Sequence, residues 1–125
     1  GWKAESIVHA IEHSPVRDRI IRPGFVPHLR LPVFYSAADA FLFPSHYEGF
    51  GLPLLEALTC GCPVVAADNS SIPEVTGGAA LLADANDIGA LAGSVTRILT
   101  DSALRSELAT RGKAHAANYR WSDCA

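Results

Sequence analysis

The chain has 125 residues, of which 49% are hydrophobic and 18% charged, with a formal net charge of -3. That is one domain's worth of chain, long enough to bury roughly two thirds of its unfolded surface in a single core. The composition excludes a disordered tail, the charge leaves no basic footprint for nucleic acid, and no apolar run reaches the length of a membrane span.

A helix is expected from Lys3 to His13, with Ile7, Val8 and Ile11 inward and Ser14-Pro15 ending it. Arg19 to Arg22 is the first of four short apolar runs, followed by Ala40 to Phe43, Pro63 to Ala67 and Ala79 to Ala83. Each is too short for a helix, they recur about every twenty residues, and helical patterns fill most of the gaps, which is the rhythm of β-α units with a parallel sheet. The turn Arg22-Pro-Gly-Phe-Val-Pro27 leaves the first run at its carboxyl end. Gly24 permits a tight bend there, and Phe25 and Val26 could pack against a base; a plain strand-to-helix turn fits as well. A short helical turn from Pro32 to Ala37 precedes the second run.

The second run leads through Pro44-Ser-His-Tyr47 into Glu48-Gly-Phe-Gly-Leu-Pro-Leu-Leu-Glu56. This loop lies at a strand's carboxyl end, where open parallel sheets bind ligands. Gly49 and Gly51 bracket Phe50 in a bend that would let backbone N–H groups converge on an anion, and Leu52-Pro53 starts a helix at once, so the dipole points to the same place. The bend completes neither a dinucleotide fingerprint nor a P-loop. Glu48 and Glu56 cannot hold a phosphate, but they suit hydroxyl donors such as a sugar and a ribose. On position alone Glu48 fits an ordinary surface carboxylate equally well, and Glu56, expected in the first helical turn, fits a residue favoured there by the dipole. Ser45 and His46 are placed to touch a ligand.

That helix is expected to run from Pro53 to Gly61. Ser71-Ile-Pro-Glu74 has the pattern of a capping box over one or two turns ending at Gly77-Gly78. A longer helix begins near Asn86 or Asp87, with Ile88, Leu91, Ala92, Val95, Ile98 and Leu99 on its buried stripe. Asp101 or Ser102 caps a final helix to about Asn118, with Leu104, Leu108 and Ala109 inward.

Two other patterns carry less. The three cysteines, Cys60, Cys62 and Cys124, argue against a disulfide framework and for a reducing compartment. His9-Ala-Ile-Glu-His13 matches an inverted zincin pattern literally, but no third ligand accompanies it in the sequence, and a solvated helix face is the expectation. No metal site and no cofactor are expected. The chain contains no methionine and begins with glycine, so it is expected to be processed or cut from something longer.

With these residues in view, the chain resembles the C-terminal, donor-binding domain of the family-4 (group 1) retaining glycosyltransferases of GT-B architecture. The resemblance runs nearly end to end. It rests on Arg17-Asp-Arg-Ile-Ile-Arg-Pro-Gly-Phe-Val26, Tyr35-Ser-Ala-Ala-Asp-Ala-Phe-Leu-Phe-Pro-Ser45, the two glutamates Glu48 and Glu56 at E-x7-E spacing, Gly61-Cys-Pro-Val-Val-Ala66 and Ile72-Pro-Glu-Val75. It implies an α/β, Rossmann-like parallel sheet with flanking helices over residues 1–125, a partial C-terminal half of a GT-B fold that lacks the first two strands of that domain. It also implies roles. Glu48 would meet the donor sugar's hydroxyls beside the reacting carbon, Phe50, Gly51 and Leu52 would offer backbone N–H groups to sugar and diphosphate, Glu56 would hold the ribose, and Phe25 and Val26 would line the base pocket.

The implied reaction moves a hexose from a nucleotide-sugar, such as a UDP- or GDP-hexose, to an acceptor with retention and without a bound metal. Two cations that grip the diphosphate in the family have no counterpart here, nor has the N-terminal acceptor domain. The isolated chain is therefore expected to be inactive, cytoplasmic or peripheral at the inner membrane face through a parent enzyme, and a homodimer formed by exchange of the first helix and strand. A non-catalytic nucleotide-binding module and a truncated piece that folds as a structural oligomer are the alternatives.

Overall fold

The computed structural model describes residues 2–46 and 51–119. Its centre is a segment that is apolar on both faces, Val64–Ala67 (β2), every residue of which is buried. β2 lies between Phe41–Phe43 (β1) and Ala80–Ala83 (β3) in a parallel, three-stranded sheet of order β1-β2-β3. Phe41 pairs with Val64, and Val64 in turn with Ala80. A central parallel strand is covered on both faces, which explains its unbroken run of valine and alanine.

Alternation along β2 divides the core. Val64 and Ala66 face a cluster with Leu54, Leu55 and Leu58 of helix Leu52–Thr59 (α3, the third of six α-helices among the described residues) and Ile72 and Val75 of Ile72–Thr76 (α4). Val65 faces Leu91 and Ile98 of Ile88–Thr100 (α5) and Leu108 of Ser102–Ala116 (α6). Trp2–Glu12 (α1) and Leu31–Ala37 (α2) precede the sheet.

Chain punctuation sets the helix ends. α3 stops in a Schellman motif: Gly61 is left-handed (φ 74°), Cys62 N–H donates to the Ala57 carbonyl and Gly61 N–H to the Leu58 carbonyl, both at 3.0 Å. Asp87 and Asp101 cap α5 and α6 by accepting from Ala90 N–H (2.9 Å) and Leu104 N–H (3.0 Å).

Several expectations fail for lack of a partner. Arg19 to Arg22 forms no strand: Arg17–Arg19 is a single 3-10 turn, and the chain beyond it is irregular, with Ile21 84% exposed. A strand needs a ladder, and none of the described strands lies beside it. Ile7 of α1 is exposed; Ile88, Ala92 and Leu99 are exposed because only the part of the α5 stripe that meets β2, β3 and α6 is covered. The capping box at Ser71 does not form; that backbone is already helical (φ -85°, ψ -3°) and the side chain makes no cap bond.

Candidate donor-binding site

Two openings hold the polar residues of interest. The first is a groove of about 280 Å³ between the 3-10 turn His28–Arg30, α2 and α3, lined by His28, Pro32, Tyr35, Glu56, Thr59 and Cys60. Tyr35 packs edge-on against Phe41, with ring centroids 5.3 Å apart, and thereby joins the α3 core. Burial, and next the adjacent Glu56 carboxylate, which also hydrogen-bonds the hydroxyl, push Tyr35 up from 10.0 to about 12. The phenol therefore stays a donor and Glu56 an acceptor with lone pairs to spare.

Glu56 does not sit where the sequence reading put it. It is the fifth residue of α3, in the second turn, and no acidic residue occupies the first. Its carboxylate faces the groove rather than the positive end of the dipole. That end belongs to Gly51, a buried, left-handed N-cap (φ 82°) whose carbonyl accepts from Leu54 N–H at 2.9 Å. A Cβ there would lie 2.9 Å from Leu54 Cδ1, so glycine satisfies both the backbone and the packing. Leu52 begins the helix and is 42% exposed. Val26 is half-buried and Phe25 is 90% exposed; their segment runs into the turn that carries His28. Glu48 and Phe50 lie outside the described residues.

The second opening, about 420 Å³, sits where the carboxyl ends of all three strands converge, lined by His46, Asp68, Asn69, Asp84, Ala85 and Asn86. Asn69 Nδ2 donates to the Ser45 carbonyl (3.0 Å), and His46 Nε2 bonds Asn86 Oδ1 (2.9 Å). Asn69 Oδ1 is buried and accepts from no described residue. Of the residues singled out in the sequence, Glu56 thus lines the groove, His46 the strand-end cleft, and Gly51 caps the start of α3. Tyr35, His28, Asn69 and Asn86 were missed. Asn69 and Asn86 follow the ends of the second and third apolar strands, so the carboxyl-end rule that selected His46 would have found them. His9 and His13 are exposed and stacked on each other, and His13 Nδ1, just past the end of α1, bonds the His9 carbonyl.

A family model described as "Glycosyl transferases group 1" matches residues 1–115. The chain is 41% identical over 124 residues to an O-antigen chain mannosyltransferase B of Escherichia coli, covering 99% of this chain and 32% of that protein. It is 41% identical over 108 residues to a D-inositol 3-phosphate glycosyltransferase of Acidothermus cellulolyticus, covering 85% of this chain and 24% of the relative. Among solved structures it superposes on a sucrose-phosphate synthase from Thermosynechococcus elongatus with a TM-score of 0.86 and 34% identity, covering 98% of this chain and 32% of the other. The C-terminal domain of a group 1 glycosyl transferase from Francisella tularensis superposes with a TM-score of 0.79 and 28% identity, covering 91% of this chain and 60% of that one. The chain thus spans about a third or less of the length of these two relatives.

Proposed function

The chain belongs to the group 1 glycosyl transferases, and from that premise we propose that it is the donor-binding portion of a retaining enzyme that moves a hexose from a nucleotide-sugar to an acceptor. The groove beside α3 takes the nucleoside. Glu56 accepts hydrogen bonds from the ribose hydroxyls, Tyr35 fixes that carboxylate by donating to it, and Phe25 and Val26 flank the base. The helix start at Gly51 and Leu52 faces the diphosphate, where free N–H groups and the dipole favour anions. Glu48 and Phe50 attend the sugar, and Glu48 is assigned to stabilise positive charge developing at the reacting carbon. The mannosyltransferase in Escherichia coli supports a hexose donor by its name.

The observation that carries this reading is a half-buried carboxylate, Glu56, turned into a groove and paired with a phenol, on a helix that starts at a glycine cap. The test is an amide chemical-shift titration with UDP and with GDP. One of them should perturb residues around His28, Tyr35, Gly51 and Glu56; shifts centred elsewhere, or none, would count against the assignment. The isolated chain is proposed to be inactive, and sugar transfer by the purified 125 residues would refute that.

A dimer is proposed as well. β1 pairs only with β2 among the described strands, leaving an edge able to recruit another chain, beside exposed Leu42, Phe34 and Val33. A monomeric mass for the folded chain in solution would contradict it.

A further inference from the structure

The strand-end cleft is chemically unlike the groove. Its lining carries two carboxylates, Asp68 and Asp84, beside the carboxamides of Asn69 and Asn86. Such a lining repels a diphosphate and suits a neutral group rich in hydroxyls. His46 stands at its rim, two residues before Glu48 in the chain.

The His46 ring is held from the far side of the sheet. Its Nε2 meets Asn86 Oδ1 at 2.9 Å across forty residues of sequence. A carboxamide oxygen only accepts, so in this bond Nε2 is the ring nitrogen that donates. Asn86 is itself fixed: its N–H donates to Asp84 Oδ1 at 2.8 Å, in the turn where Asp87 N–H donates to the Asp84 carbonyl at 2.9 Å. On the other side, Asn69 ties down the Ser45 carbonyl that precedes the ring. Ring and main chain are thus both anchored just before the loop that carries Glu48.

We propose that Asn86 is a positioning residue that locks the His46 imidazole with Nδ1 left as a hydrogen-bond acceptor for a hydroxyl of the transferred sugar. This deepens the donor-binding reading and rests on it. Asn86 itself does not touch the donor; it acts through His46.

Two measurements on the full chain test the idea. The first needs no ligand: long-range nitrogen-proton spectra of the His46 ring should show hydrogen on Nε2 and a bare Nδ1 at neutral pH, and Asn86→Ala should mix the tautomers. A ring protonated on Nδ1, alone or together with Nε2, overturns the proposal, as does a ring unchanged in Asn86→Ala. The second compares UDP-glucose and GDP-mannose with UDP and GDP by calorimetry. Asn86→Ala and His46→Ala should each weaken the recognised nucleotide-sugar about fivefold, the loss of one hydrogen bond, while leaving the matching nucleoside diphosphate within about twofold. The double variant should lose no more than either single one, and Asn86→Asp, whose carboxylate also accepts from Nε2, should restore binding. Equal losses for nucleotide-sugar and nucleoside diphosphate, or no loss in either variant, overturn the role of the pair while leaving the groove intact. Failure of every one of these ligands to bind the wild-type chain overturns the donor reading and this proposal together.

Discussion

Residues 51–119 and residues 2–46 draw on the same apolar alphabet and meet different fates. In the later region Leu54, Leu55, Leu58, Val64, Val65, Ile72 and Ile98 are fully buried. In the earlier region no residue with a described side chain is buried, and Ile21, Phe25 and Leu29 are 84%, 90% and 91% exposed. Hydrophobic pattern specifies which face seeks cover; burial requires that another element supply it. β1 and Tyr35 tie the regions together: Phe41 and Phe43 of β1 and Tyr35 of α2 all come from the earlier region and pack onto the α3 core, Tyr35 beside Glu56.

Substitutions that break the comparison should differ in size accordingly. Leu58→Ala empties a fully buried site and should cost about 2–5 kcal/mol, whereas Leu29→Ala should change stability by less than about 0.5 kcal/mol, both read from urea unfolding midpoints. Equal effects would mean that the earlier region is covered in solution.

Within the later region, Gly77 and Gly78 separate strain from packing. Both are left-handed, at φ 52° and 80°, but a Cβ on Gly77 would collide with the His115 ring, while one on Gly78 meets nothing within 4 Å. Gly78→Ala should therefore cost about 1–2 kcal/mol from backbone strain alone. Gly77→Ala should cost about 1 kcal/mol more, because it evicts His115 from its 2.7 Å bond to the Val75 carbonyl. Adding His115→Ala to each should erase the difference.

The smallest effect belongs to the link between regions. Tyr35 is raised from 10.0 to about 12 by burial and then by Glu56. Between those values the unfolded tyrosine releases its proton while the folded one keeps it, so stability is complete below the lower value and falls as pH rises through the window. Tyr35→Phe should flatten that alkaline limb by one proton, measured as the pH dependence of the unfolding midpoint. An unchanged slope would show that Tyr35 is not shielded.

Much of the fold was legible because β2 and its flanking helices carry their own partners. Val64–Ala67 reads as a doubly covered strand, Gly61 and Gly77 as stops, and Asp87 and Asp101 as caps. Where the pattern was right and the partner missing, the reading failed: Arg19 to Arg22 has the composition of a strand without a neighbour. Ile88 and Leu99 lie on a stripe wider than the surface it meets. The site was legible in part. His46 was singled out by its place after a strand and Glu56 by its closeness to the glycine bend, and each lines an opening; the turn in which Glu56 falls depends on whether the helix starts at Leu52 or later. Tyr35 and Asn86 come from other elements, and only the fold brings them to those carboxylate and imidazole groups.

The central claim is that the groove joining the two regions holds a nucleoside through Glu56. Calorimetric titration of the wild-type chain, Glu56→Ala and the remote control Ile88→Ala with UDP and GDP tests it most directly. One nucleoside diphosphate should bind the wild type and the control alike and bind Glu56→Ala about tenfold more weakly, the cost of a hydrogen bond to a charged group. Binding that survives the loss of Glu56 undiminished, or no binding at all, would contradict the claim.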